Sequence, residues 1–142
     1  MKILVDTSVW SLALRREGKN KTVREEAAIR ELLELIREMR VVLMGPIRQE
    51  LLSGLSDKRK YEELRSKLAA FEDMFLETKH YELAAALANE CRKHGIQGSH
   101  TDFLICAAGR HNDLAIFTLD KDFERYRPHT GIRLHVVRDG LK

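Results

Sequence analysis

Four acidic residues, Asp6, Glu50, Asp102 and Asp120, are scattered along this 142-residue chain, yet each lies where a helix is expected to begin or just inside one. Two of them directly follow apolar runs: Lys2-Ile3-Leu4-Val5 leads into Asp6, and Leu114-Ala115-Ile116-Phe117-Thr118-Leu119 leads into Asp120. Carboxylates in such positions sit where open α/β sheets bind ligands. Two like charges about 4 Å apart repel by roughly 4 kcal/mol at an effective dielectric of 20, so a converged set of four calls for protons or cations. A divalent metal is the economical answer. Mg²⁺ takes oxygen ligands, keeps several waters and typically uses one or two protein carboxylates together with a substrate phosphate. Water activated by such a cation can attack a phosphodiester in line, so neither a nucleophilic serine nor a catalytic histidine is required.

Each acid taken singly has an ordinary explanation. Aspartate is favoured at helix N-caps, and carboxylates complement the positive end of the helix dipole. Asp102 follows Thr101, itself a possible cap, and Glu50 is one glutamate in an amphipathic segment. The joint order of strand-Asp, helix-Glu, helix-Asp and strand-Asp is what sets these residues apart.

The elements that must position them follow from periodicity and punctuation. Thr7 to Arg16 predicts a short helix, broken at Gly18-Lys19-Asn20. From Val23 to Arg40, Ile29, Leu32, Leu33, Ile36 and Met39 recur at three- and four-residue intervals, predicting an amphipathic helix that leads into a strand at Val41-Val42-Leu43-Met44. Gly45-Pro46 ends that strand and opens a helix carrying Ile47, Glu50, Leu51, Leu52 and Leu55. Asp57 caps a further helix through about Asp73, and Phe75-Leu76-Glu77 reads as a brief strand. Thr78 to His94 is helical and stopped by Gly95; Gly98-Ser99-His100-Thr101 caps a buried helix from Asp102 to His111. Leu114 to Leu119 is a strand, Lys121 to Arg127 a short helix, and Ile132 to Val137 a last strand. Strands alternating with helices predict an α/β fold, an α/β/α sandwich around a mainly parallel central sheet of four to five strands, with residues 1–142 forming a single domain.

Composition narrows the class. Apolar residues make up 44% and charged residues 33%, a globular balance with no apolar stretch near the length of a membrane span. Asp6 interrupts the first apolar run, so no signal-peptide pattern is present and a cytoplasmic protein is expected. Cys91 and Cys106 fall in helical patterns and are expected as buried free thiols. The net charge of +3 is mild, but Arg15, Arg16, Lys19, Lys21 and Arg24 crowd one segment, which is either a solvated loop or a rim that contacts phosphates.

The neighbours of the four acids carry a family resemblance: Val5-Asp6-Thr7-Ser8, Glu50-Leu51-Leu52-Ser53-Gly54, Asp102-Phe103-Leu104-Ile105-Cys106-Ala107-Ala108 and Thr118-Leu119-Asp120-Lys121-Asp122-Phe123. Together these stretches resemble PIN-domain proteins, most of all VapC toxins, over nearly the whole chain from Ile3 to about Val137. The resemblance implies a Mg²⁺- or Mn²⁺-dependent endoribonuclease, leaving a 5′-phosphate and a 3′-hydroxyl, and inhibited by a VapB-type antitoxin. It also implies a homodimer that receives the antitoxin in a helical groove. Carried over by residue, it assigns Asp6, Glu50, Asp102 and Asp120 as metal-binding catalytic acids, with Asp122 at a fifth position acidic in only part of the family. Thr7 and Thr118 match hydroxyl-bearing positions that hold a carboxylate or a metal-bound water in place.

Other chemistries fit less well. Asp120-Lys121-Asp122 also resembles the Asp-x-Asp of haloacid-dehalogenase-type phosphatases, but Phe123 follows it and it lies near the C-terminus. Cys91, His94 and His100 have irregular spacing and lack a fourth zinc ligand nearby, and His80, His111, His129 and His135 read as surface or edge residues. A PIN fold that binds RNA or protein without cleaving is the remaining alternative, and an intact set of four repelling carboxylates argues against it. The amphipathic segments Val23 to Arg40 and Asp57 to Asp73 either pack into the core or leave apolar surface for a partner helix.

Overall fold

The computed structural model describes residues 1–14 and 20–138. Arg15, Arg16 and Lys19 of the basic segment lie outside the described residues.

The centre of the molecule is β1 (Ile3–Val5), whose three side chains are all buried. It pairs in parallel with β2 (Val41–Val42) on one side and β3 (Ala115–Phe117) on the other, giving the order β2-β1-β3. In this register Ile3 is opposite both Val41 and Ala115, and Val5 is opposite Phe117. Uninterrupted apolar runs are what strands covered on both faces require. Each leucine or isoleucine buried here contributes roughly 1.5–3 kcal/mol relative to an exposed one.

Seven helices connect and cover the sheet among the described residues: α1 (Thr7–Leu14), α2 (Val23–Arg37), α3 (Gly45–Leu52), α4 (Lys58–Leu68), α5 (Thr78–Lys93), α6 (His100–His111) and α7 (Asp122–Thr130). They form two packed groups, α1 against α2 and α3, and α5 against α6 and α7. Local chemistry sets their starts. Thr22 and Glu25 form a reciprocal capping box on α2, Pro46 sits in the first turn of α3, Asp57 caps α4, and Ser99 caps α6. The α6 cap is Ser99 and not Thr101, so the helix begins two residues earlier than Asp102.

Among the described residues the sheet has three strands where four to five were expected. The segment ahead of α5 contributes a single parallel bridge between Asp73 and Leu43, and the C-terminal segment a single bridge between Leu134 and Ile116. Residues 75–77 cannot extend the first of these: Phe75 is 78% exposed, and the backbone N–H of Glu77 is given to His80 Nδ1 at 2.9 Å, at the start of α5. In the backbone, Ile116 N–H donates to the Arg133 carbonyl at 2.8 Å and His135 N–H donates to the Ile116 carbonyl at 2.7 Å. The polarity of the sheet is parallel throughout.

Two further expectations are corrected. His80 is fully buried: its Nδ1 accepts from Glu77 N–H, so its Nε2–H donates to Asn112 Oδ1 at 2.7 Å. On α2 the buried face is Ala28, Glu31, Leu32 and Leu35, while Leu33 and, just beyond the helix end, Met39 are exposed. The helix is apolar on more than one side, and it turns inward the side on which Glu31 meets a salt-bridge partner. His135 Nε2 lies 2.6 Å from Glu31 Oε2, and Arg138 Nε donates to both Glu31 oxygens at 3.1 and 3.0 Å. These bonds tie the C-terminal segment to α2.

Candidate metal centre

Parallel β1 and β3 end side by side, and the chain leaving each carries an acid. Asp6, 5% exposed, follows β1. Its Oδ2 receives Thr118 Oγ1–H at 2.7 Å and Ser8 Oγ–H at 2.8 Å. Thr118 Oγ1 in turn accepts from Asp120 N–H at 3.0 Å, and Ser8 Oγ accepts from Leu119 N–H at 2.9 Å. Two hydroxyls thus stitch the end of β1 to the end of β3. Burial pushes the Asp6 carboxyl above its ordinary range, and these donors offset only part of that.

Asp102 arrives from the other direction, on the first turn of α6. Its backbone N–H donates to Ser99 Oγ at 3.0 Å, and its Oδ2 accepts from Tyr126 O–H at 2.6 Å. Burial raises its carboxyl, the charges of Asp6 and Asp120 raise it further, and the Tyr126 hydrogen bond pulls back. Tyr126 is itself held far above the normal phenol range by burial and by donating to this carboxylate, so it acts as a fixed donor. Gly98 makes room for it: a Cβ there would lie 2.2 Å from the Tyr126 hydroxyl.

Asp120 Oδ1 accepts from Asp122 N–H at 2.9 Å, which turns the chain into α7 and brings the two side chains together. Asp102, Asp120 and Asp122 each offer a carboxylate oxygen within 4.8 Å of the other two. At this spacing each pair repels by roughly 3 kcal/mol at an effective dielectric of 20. The donor set is all oxygen, open to solvent and strongly negative, which fits a hard divalent cation that retains waters. It offers no sulfur or nitrogen for zinc, and among the described residues no cluster of histidine and cysteine does so either. Cys91 and Cys106 are buried and free, and His94 stacks on His129 with ring centroids 4.1 Å apart.

Asp6 and Glu50 lie outside this trio. Asp6 acts on Asp102 through its charge. Glu50 stands exposed on α3, with its Oε1 accepting Thr7 Oγ1–H at 2.7 Å, beside a hollow of about 560 Å³ that it lines with Thr7, Pro46 and Thr101. Arg24 and Lys121 line a separate cleft of about 330 Å³ together with Asp120 and Thr118. Lys21 is not among the residues lining that cleft. Sequence reasoning overlooked Ser8, Gly98 and Tyr126. Ser8 stood within the motif that carried Asp6 and Thr7, whereas Tyr126 had no periodic signal.

A PIN-domain family model matches residues 3–127, and the chain belongs to the PIN-domain family. Among curated proteins no significant match is found. Solved structures with the same fold include FitAcB from Neisseria gonorrhoeae, 22% identical with a TM-score of 0.73 over 94% of this chain and 96% of that one. VapBC2 from Rickettsia felis, bound to a DNA fragment from their promoter, is 15% identical with a TM-score of 0.74 over 95% and 98% of the two chains. A toxin–antitoxin complex from Klebsiella pneumoniae is 18% identical with a TM-score of 0.61 over 86% and 90%.

Proposed function

We propose that this protein is a divalent-metal-dependent endoribonuclease, the PIN toxin of a VapBC-like toxin–antitoxin pair acting in the cytoplasm. The observation that carries this is the trio of Asp102, Asp120 and Asp122, each offering a carboxylate oxygen within 4.8 Å of the other two, with the charge of buried Asp6 acting on it. Among the described residues its only ion pair is an exposed one, from Arg125 to Asp122 at 3.8 Å. Asp102, Asp120 and Asp122 would hold Mg²⁺ or Mn²⁺, with Asp6 and Glu50 completing the acidic set. When bound, the cation offsets charge on the phosphate and lowers the pKa of water.

The chain's own residues do the rest. Thr118 and Ser8 hold Asp6, and Tyr126 holds Asp102, so that neither carboxylate turns away when unprotonated. Glu50, held by Thr7, lines the open hollow and would accept a proton from the attacking water. Arg24 and Lys121 flank Asp120 and would contact neighbouring phosphates.

The antitoxin partner is supported by the toxin–antitoxin complexes that share this fold, and by half-exposed Leu33 on α2. We infer a homodimer on the same family grounds, and one domain across residues 1–142. The test is cleavage of single-stranded RNA by the purified protein. Activity with Mg²⁺ or Mn²⁺, lost in EDTA and restored by excess metal, is expected; full activity in EDTA would overturn the assignment.

A further inference from the structure

On the side of β3 away from β1, the pairing with the C-terminal segment opens after a single bridge. Ile116 bonds to Arg133 and His135, and in a parallel ladder the next two bonds would run from Thr118 N–H to the His135 carbonyl and from Val137 N–H to the Thr118 carbonyl. Neither is made among the described residues. Arg138 is held instead by Glu31 and Glu38, which draws the segment toward α2. The space so opened is the cleft of about 330 Å³ that Thr118, His135 and Val137 line together with Asp120. Two N–H donors and two carbonyl acceptors are therefore left there without a backbone partner.

Phe117 and Ala28, both buried, and partly buried Ala27 and Leu134 give the cleft apolar walls. Arg24, one helical turn from Ala27 and Ala28, and Lys121, next to Asp120, bring two cations to it. Glu124, which also lines it, is paired with Arg127 at 3.0 Å. Asp120 belongs both to the acid trio and to this cleft, so a polymer with one phosphate at the trio has its adjoining unit at the cleft mouth. An apolar slot edged with unpaired N–H and C=O groups suits a flat ring whose rim carries acceptors and donors, as an unstacked nucleobase does. A peptide could meet the same backbone groups, but two cations beside the trio favour a polyanion. The volume lies at the lower end of small-ligand sites, roughly 300–1,000 Å³, which is room for one such unit.

We propose that the open ladder beside β3 is a base-binding subsite for the nucleotide next to the scissile phosphate. The backbone of Thr118, His135 and Val137 reads the edge of the base, and Arg24 with Lys121 holds the phosphate that follows. This rests on the ribonuclease assignment above and adds the place where sequence preference is set.

The test uses a pool of fluorescein-labelled single-stranded RNA 12-mers of random sequence. Binding is followed by anisotropy with Ca²⁺, cleaved ends are sequenced after incubation with Mn²⁺, and particle mass is followed by light scattering. Ala27→Leu, which fills the cleft, is expected to weaken binding and to flatten the base preference beside the cut by about tenfold, the size of one lost hydrogen-bonded base contact. Val136→Glu, which sets a carboxylate at a position 79% exposed on the cleft, is expected to weaken binding similarly and keeps the test open should Ala27→Leu fail to fold by circular dichroism. Ala86→Leu and Ala86→Glu make the same changes on an exposed position of α5 and stay within about twofold of the parent protein. If the parent protein binds and cleaves while the folded cleft variants match it in affinity and base distribution, the subsite is overturned and the ribonuclease assignment stands. A parent protein that neither binds nor cleaves the pool overturns both. Parent-like RNA binding with an altered particle mass in Ala27→Leu overturns the subsite in favour of a second copy of the chain.

Discussion

Tyr126 reaches Asp102 through one 2.6 Å hydrogen bond, and that bond depends on Gly98 having no side chain. Tyr126→Phe keeps the ring and removes the donor. It is expected to lower metal affinity and RNA cleavage by about tenfold, as loss of an outer hydrogen bond to a ligand commonly does. Gly98→Ala should reproduce that loss and also destabilise the fold by about 1–3 kcal/mol through overpacking; urea titrations separate the two effects. Asp102 also makes a prediction about pH. Its carboxyl titrates above the ordinary value of 3.8 because burial, Asp6 and Asp120 disfavour the charge. Ionisation therefore costs folding stability, a cost absent below about pH 3.8 and complete above the folded-state pKa. Asp102→Asn should raise the Tm of the metal-free protein at pH 7 by a few degrees, and the gain should vanish on acidification to that range. An unchanged Tm at pH 7 would mean that Asp102 carries no such charge. The acids were legible in the sequence because an aspartate straight after an apolar strand is a local pattern. Tyr126 and Gly98 were not, since a hydroxyl donor and a missing Cβ leave no periodic trace.

The helices carried their own signals, in the Thr22–Glu25 box, the Asp57 and Ser99 caps and the three-four spacing of α4 and α5. The sheet edges did not. An apolar run such as Ile132 to Val137 reads the same whether it forms a ladder or one bridge, and the choice depends on which neighbour covers it. The inward side of α2 was hidden for a related reason: Glu31 is 4% exposed because partners arrive from more than a hundred residues away. Burial acts to raise the Glu31 carboxyl, but hydrogen bonds from Arg138 and His135 outweigh it and hold the group below its ordinary value of 4.5. A depressed folded-state pKa means stability present above pH 4.5 and lost as the pH falls below it. Glu31→Gln should cost about 1–2 kcal/mol at pH 7. Combined with Arg138→Ala, the loss should be less than additive in denaturant titrations. Fully additive losses would show that the two residues do not act as a unit.

At the scale of the whole molecule, chain crossings place the carboxyl ends of β1 and β3 together, so that Asp6 is tied through Thr118 to the chain that carries Asp120, more than a hundred residues away, and Asp102 on α6 and Asp122 on α7 meet Asp120 there. This convergence was legible as a consequence of parallel strands. What was not legible is its detailed membership, because the turn from Asp120 to Asp122 is set by Asp122 N–H donating to the Asp120 carboxylate and Phe123 N–H donating to the Asp120 carbonyl. The trio of Asp102, Asp120 and Asp122 is the proposed seat of a divalent cation. Calorimetric titration of Mn²⁺ into the protein measures this directly, with Asp120→Asn and Asp102→Asn as comparisons and circular dichroism confirming their folds. Saturable binding that weakens by more than about tenfold in each variant is the result expected, whereas binding undiminished in both would contradict it.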